Sequence, residues 1–247
     1  MAAKNIVRAS NEREKEFLNI FRLLCETRYN WQVWADLITT FAISIANALE
    51  QNKEIREKRE KEYLSCVQKL GGQKVPAELF NVLIMALEEN PRQDFLGKMF
   101  MLLELGNHWK GQFFTPYTLC EMMTEIDTEN LQKKTEENGW FSINDCACGA
   151  GAMLIAAANT FREHNINYQQ QTLFVGQDID RIAGMMCYIQ LSLLGCPGYV
   201  VIADTITSPL VGDHVLFPVE KTDQEFWYTP MWYSDLWMLR KKLHKSD

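Results

Sequence analysis

No apolar run in the 247-residue chain approaches the roughly 18 residues a membrane span needs, so no membrane partner is expected. The most apolar stretch, Phe41 to Leu49, is short and is interrupted by Ser44 and Asn47. The start, Met1-Ala2-Ala3-Lys4-Asn5, has no apolar h-region, which argues against a secretory signal. A cysteine framework is also missing. Seven cysteines, an odd number, are scattered without regular spacing, which reads as reduced thiols in a cytoplasmic protein. Cys146 and Cys148 stand as C-x-C, and no second cysteine or histidine pair completes a zinc set, so no metal is expected. Positive charge is short as well: 25 Lys and Arg against 32 Asp and Glu give a net charge of −7. Phosphate neutralisation dominates nucleic-acid affinity, so this is the wrong sign for a chain that grips DNA unaided. The small basic run from Arg240 to Lys245 reads as a solvated tail, and a partner polypeptide would have to supply much of any DNA contact.

What is present is ordinary for a globular α/β protein, with 47% apolar and 23% charged residues. The division expected is a helical region over 1–108 and an α/β domain over 109–247. Ser10 is expected to cap a helix running to about Thr27, with Phe17, Ile20, Phe21 and Leu24 on one face. Further helices are expected over Trp31 to Leu49, Glu50 to Leu70, Pro76 to Leu87 and Phe95 to Leu105, with Pro76 as a first helical residue. Their aromatics and methionines, at helical spacing, read as core. After Gly106 the pattern changes. Phe141 to Asp145, Leu173 to Gly176 and Tyr199 to Ala203 read as buried strands, separated by the helix Ala152 to Phe161 and by one that Asp180 caps and Gly195 ends. That alternation predicts βαβ units and a parallel sheet. Asp127 to Gly139 reads as a polar connector.

Four segments carry chemistry. Asp145-Cys146-Ala147-Cys148-Gly149-Ala150-Gly151 lies between a strand and a helix, where small residues let a ligand approach the backbone over the strand end. A tight turn needed only for packing is the competing reading. Asp178, in Gln177-Asp178-Ile179-Asp180, ends the next strand, where a carboxylate can accept from both hydroxyls of a ribose. Asp180 is the better helix cap, which leaves Asp178 for that task. Asp204 follows the third strand and could accept from an exocyclic amine. Gly111-Gln112-Phe113-Phe114-Thr115-Pro116 precedes them all; Thr115 and Pro116 read as N-cap and first helical residue.

Together these segments resemble, in order and spacing, the modification subunits of type I restriction systems and related adenine-N6 DNA methyltransferases of the gamma motif order. There the pattern is G-Q-[FY]-[FY]-T-P, then D-P-A-C-G-S-G, an acid after strand two and G-D after strand three. The resemblance covers about residues 106 to 210. It implies a Rossmann-like S-adenosylmethionine-dependent methyltransferase sheet, incomplete here, preceded by an all-helical region, and S-adenosylmethionine as cofactor. It further implies that Gln112, Phe114 and Thr115 flank the methionine part of that cofactor, and that Asp145, Ala147, Cys148, Gly149 and Gly151 border its amino-acid end and sulfonium. Asp178 would then hold the ribose, Ile179 would pack on the adenine, and Asp204 with Thr205 would border its amine.

The sequence departs from the family pattern chiefly in the catalytic tetrad. No D/N-P-P-[FYW], the segment that holds the target amine and stacks on the flipped base, is found. The nearest candidates are Thr229, Pro230 and Trp232 in Tyr228-Thr229-Pro230-Met231-Trp232-Tyr233, although threonine has no carbonyl acceptor to replace Asp or Asn. Cys146 also stands for proline, and Ala203 for the glycine before Asp204. The aromatic tail from Phe226 to Trp237 is expected to pack on the sheet and cover an edge. Two functions follow. One is a cofactor-binding DNA adenine-N6 methyltransferase subunit that needs a partner, or an oligomer, for transfer to DNA. The other is a catalytically inactive regulatory or scaffolding module in a DNA-processing or defence assembly. A nicotinamide dehydrogenase is disfavoured, because the third glycine of its fingerprint is absent.

Overall fold

The computed structural model describes residues 9–26, 28–105, 114–126 and 128–244, without the side chains of 128–130. Five helices come first: α1 (Glu12–Leu24), α2 (Asn30–Asn47), α3 (Lys53–Lys69), α4 (Lys74–Glu89) and α5 (Phe95–Leu102). They form where apolar residues recur at helical spacing, and Phe17, Phe21, Trp34, Leu37, Ile38, Leu79, Leu83 and Phe95 are buried among them. The starts differ from expectation in detail. Asn11, not Ser10, caps α1 by accepting from the Glu14 amide, while Ser10 bonds the Glu14 carboxylate. Pro76 lies inside the first turn of α4, which begins at Lys74; the first turn tolerates it because its amides have no intrahelical acceptor.

Two more helices, α6 (Tyr117–Glu125) and α7 (Thr128–Asn138), lead to β1 (Phe141–Asp145). The segment read as a polar connector is thus mostly helix. Its helical face is short, and of its described side chains Leu131 alone joins the small cluster of Phe141, Phe161 and Ile166, so the sequence signal was weak. Then follow α8 (Ala152–Glu163), the single turn α9 (Tyr168–Gln171), β2 (Thr172–Asp178), α10 (Arg181–Leu193) and β3 (Gly198–Ile202). The chain ends with β4 (Glu225–Tyr228), a 3-10 turn (Pro230–Tyr233) and α11 (Asp235–His244).

The sheet has the order β1-β2-β3-β4. β1, β2 and β3 are parallel, with Asp145 opposite Gly176 and Asp178 opposite Ile202; β4 runs antiparallel to β3. All seven residues of β2 are buried, as befits a central strand covered on both faces. One face carries α8 and α10, and α2 and α5 pack behind α10, so one apolar core runs from the helical region into the sheet. The other face buries Leu173, Val175, Tyr199 and Val201 beneath Trp232 and Trp237. The aromatic tail therefore does two things: β4 pairs with the β3 edge, and the two tryptophans cover the face. Arg59 of α3 closes off the outer side of β4 by donating to the Phe226 carbonyl and stacking 4.5 Å from the centre of the Trp227 ring. Among the described residues no strand pairs with the outer edge of β1.

Candidate functional site

Parallel strands end together, so β1, β2 and β3 bring three acids to one side of the molecule: Asp145, Asp178 and Asp204. The turn after β1 is fixed to the end of β2 by two bonds. The Cys148 amide donates to the Gln177 carbonyl (3.0 Å) and the Gly149 amide to Asp178 Oδ2 (2.8 Å). The other oxygen of Asp178 accepts from the Asp180 amide at 2.8 Å. Asp178 is thus an acceptor for backbone on both sides while still bordering the crevice, its residue 8% exposed. Asp180 caps α10 as expected, accepting from the Ile182 and Ala183 amides.

Gly149 and Gly151 have φ of +53° and +96°, the left-handed region that glycine adopts without strain. Their lack of side chains matters as well. A Cβ on Gly149 would come 2.9 Å from the Phe114 ring, and one on Gly151 would come 2.9 Å from Cys187 Sγ. Phe114, 35 residues upstream of Gly149 in the chain, therefore lies directly on the glycine turn. Gly149→Ala should cost about 1–2 kcal/mol from left-handed backbone alone and should push the Phe114 ring aside. A thermal melt reads the first effect, and the position of the ring in a crystal structure of the variant reads the second.

The remaining candidates fall around the same crevice. Asp145, half-buried at the end of β1, accepts from the Ala147 amide at 3.1 Å; burial and then the nearby Asp178 charge push its carboxyl pKa up against that bond. Asp204 is half-buried, and its carboxyl is held below the usual range, chiefly by the Ile206 amide at 2.8 Å. Thr205 Oγ donates to the Cys146 carbonyl at 2.6 Å, tying the loop after β3 to the turn after β1. Ala147 is exposed, whereas Cys148 is buried against Cys187 and Gly176; the hydrogen bond to Cys187 and burial push its thiol pKa up, which suits packing and not reactivity. Ile179 is 69% exposed at the end of β2. Ile206, which sequence reasoning missed, is 90% exposed beyond β3, so two bare apolar side chains stand on the rim. An isoleucine after an acid carries no pattern of its own; only the shared end of the strands singles it out. Thr115 is exposed, but Pro116 is the N-cap and Tyr117 the first helical residue, so the expected capping by Thr115 is not seen. Gln112 lies outside the described residues.

Thr229, Pro230 and Trp232 are elsewhere. β4 runs back along β3, so they follow it to the amino end of the parallel strands, away from the three acids. Thr229 is wholly buried; its Oγ donates to the Cys196 carbonyl (2.7 Å) and accepts from the Gly198 amide (3.0 Å). Trp232 packs against Tyr199. Among the described residues, no group of His, Cys, Asp and Glu could hold a metal ion, and no helix is long and apolar enough to cross a membrane.

A helical region leading into parallel strands, with a glycine turn after the first and acids at the ends of all three, defines the Rossmann-like methyltransferase class of sheet, here in an incomplete, four-stranded form. The N-6 DNA Methylase family matches residues 93–241, and the chain belongs to that family: it is an adenine-N6 DNA methyltransferase-like protein. Among solved structures, it is similar to the type I restriction-modification system methyltransferase subunit from Streptococcus thermophilus, at 14% identity and a TM-score of 0.41. That similarity covers 79% of this chain and 59% of the other, so this chain spans less than two thirds of that subunit's length. No curated protein matches it.

Proposed function

We propose that this chain binds S-adenosylmethionine in the crevice over the carboxyl ends of β1, β2 and β3, and forms the cofactor-holding part of an adenine-N6 DNA methyltransferase. The observation that carries this reading is the meeting of three distant segments: Phe114 lies on Gly149, and Gly149 donates to Asp178. The residues fit the cofactor. A turn of glycines that carries no side chain suits close approach of a ligand to its backbone, the Asp178 carboxylate suits two ribose hydroxyls, and the exposed Ile179 and Ile206 suit the faces of an adenine ring. When bound, the cofactor supplies the methyl group. Asp145, raised in pKa by burial yet bordering Asp178, and Asp204, held ionised, give the crevice a negative character that suits a sulfonium and an ammonium.

Transfer to DNA, in this proposal, takes place with a second polypeptide, as the net charge of −7 leaves little to attract phosphates. Two features support a strand from such a partner joining β1. The outer edge of β1 has no paired strand among the described residues, and Ser142 and Asn144 are exposed beside it. Nearby α6, packed on α8, presents Leu119, Met122, Met123 and Ile126 to solvent at i, i+3, i+4 and i+7. A second reading, a cofactor-binding regulatory or scaffolding module without transfer of its own, is favoured by the position of Thr229, Pro230 and Trp232 at the far end of the sheet.

Calorimetric titration of S-adenosylmethionine into the purified protein tests the common part of both readings. Saturable binding at one site per chain is expected, and the demethylated product should compete for it. No heat at millimolar cofactor would sink the cofactor reading and leave a scaffold. Methylation of DNA by the chain alone would instead overturn the need for a partner.

A further inference from the structure

Beneath the glycine turn lies a buried polar network that the crevice does not use. Gln190, in the last turn of α10, is fully buried. Its Oε1 accepts from the Leu96 amide (3.1 Å), and its Nε2 donates both to Asp94 Oδ1 (2.8 Å) and to the Ala150 carbonyl (2.9 Å). Asp94 is the N-cap of α5, accepting from the Gly97 amide at 2.8 Å. One planar amide therefore joins the start of α5 to the residue between the two left-handed glycines. A second route leads from the same helix to the same turn. Phe100 of α5 packs 5.1 Å from Phe114, and Phe114 lies on Gly149. α5 grips the turn by a polar contact at Ala150 and by an aromatic one at Gly149.

We infer that α5 is the positioning element of the glycine turn, with Gln190 and Phe100 as positioning residues, so that the helical region sets how well the crevice takes its cofactor. Glycines restrain the backbone least, so the turn must be held from outside. The sheet supplies part of that hold, through Gln177 and Asp178. A further part comes from α5, whose Phe100 also packs edge-on against Trp34 of α2. A partner that shifts the helical region would alter the crevice through these two contacts.

This inference rests on the cofactor reading for its consequence, though not for its structural part. The test uses the full chain with Gln190→Met, which keeps the length and removes the three bonds, and Phe100→Leu, which shortens the aromatic route. Two quantities are read: hydrogen exchange of the amides of 147–151 relative to those of α4, and the affinity for S-adenosylmethionine. Both variants should speed exchange in the turn about tenfold with α4 unchanged, and should weaken the cofactor about tenfold. Asp94→Asn, which keeps an oxygen for the Gly97 and Gln190 donors, should stay within about threefold of the native chain. Turn protection that is unchanged, or that falls only in step with α4, would overturn the inference. If Gln190→Met fails to fold, Phe100→Leu alone decides it. A native chain that takes no S-adenosylmethionine would refute the cofactor reading, while the exchange data would still decide whether α5 holds the turn.

Discussion

Asp178→Ala is expected to weaken S-adenosylmethionine binding roughly 100-fold and to lower the stability of the native chain by about 3–6 kcal/mol. The two effects have separate causes. The carboxylate accepts from the Gly149 and Asp180 amides at 2.8 Å each, and hydrogen bonds to a charged acceptor are worth about 1.5–3 kcal/mol apiece. Alanine leaves the Gly149 amide without that acceptor, so the turn loses one of its anchors. The two ribose bonds proposed for the same carboxylate would take away a further amount of similar size, or roughly 100-fold in affinity. Asp180→Ala is the control, as it strips the cap of the adjoining helix for about 1 kcal/mol and leaves the carboxylate in place. At roughly 2–4 °C per kcal/mol for a chain of this size, melts will rank the two variants, and titration well below the melting temperature will separate binding from folding. If Asp178→Ala and Asp180→Ala lose affinity equally, Asp178 has no direct part in holding the cofactor.

How much of this was legible beforehand differs by residue, and the differences have physical causes. Phe141–Asp145 was readable to its ends, and the Asp180 cap to the atom, since each depends on neighbours within a few residues. Thr115 failed at that same scale: both Thr-Pro and Pro-Tyr are acceptable helix starts, and local pattern does not choose between them. The end of the sheet was harder. β4 pairs with β3 across more than twenty residues of loop, and nothing in Glu225–Tyr228 names its partner. Gln190 was invisible, because a glutamine in an apolar helix has no period; its meaning depends on Asp94, 96 residues away, and on Ala150, 40 residues away. Motif order could place the acids along the chain. The fold alone put Phe114 on Gly149 and bared Ile206 beside Ile179.

The segment around Thr229 yields the other large effect. Gly198→Ala is expected to cost more than about 4 kcal/mol and to leave little soluble protein, because a Cβ there would come 1.8 Å from the Phe174 carbonyl oxygen. That oxygen belongs to the paired strand, Phe174 being the register partner of Gly198, so β3 could not seat on β2. Thr229 completes the same corner from the other side, its hydroxyl bridging the Gly198 amide and the Cys196 carbonyl. Thr229→Val keeps the shape and removes the hydroxyl, leaving a buried amide and a buried carbonyl short of a partner, for about 1–3 kcal/mol. Thr229→Ser should restore most of it. Five residues of β3 separate this corner from Asp204, roughly 15 Å of extended chain, so neither Thr229 variant should change cofactor affinity by more than about twofold. A group in the chemistry would behave in the opposite way. Loss of methyl transfer by a stable Thr229→Val chain, in whatever assembly performs that transfer, would return this threonine to the reaction; loss of stability with unchanged binding assigns it to the joint between β3 and β4.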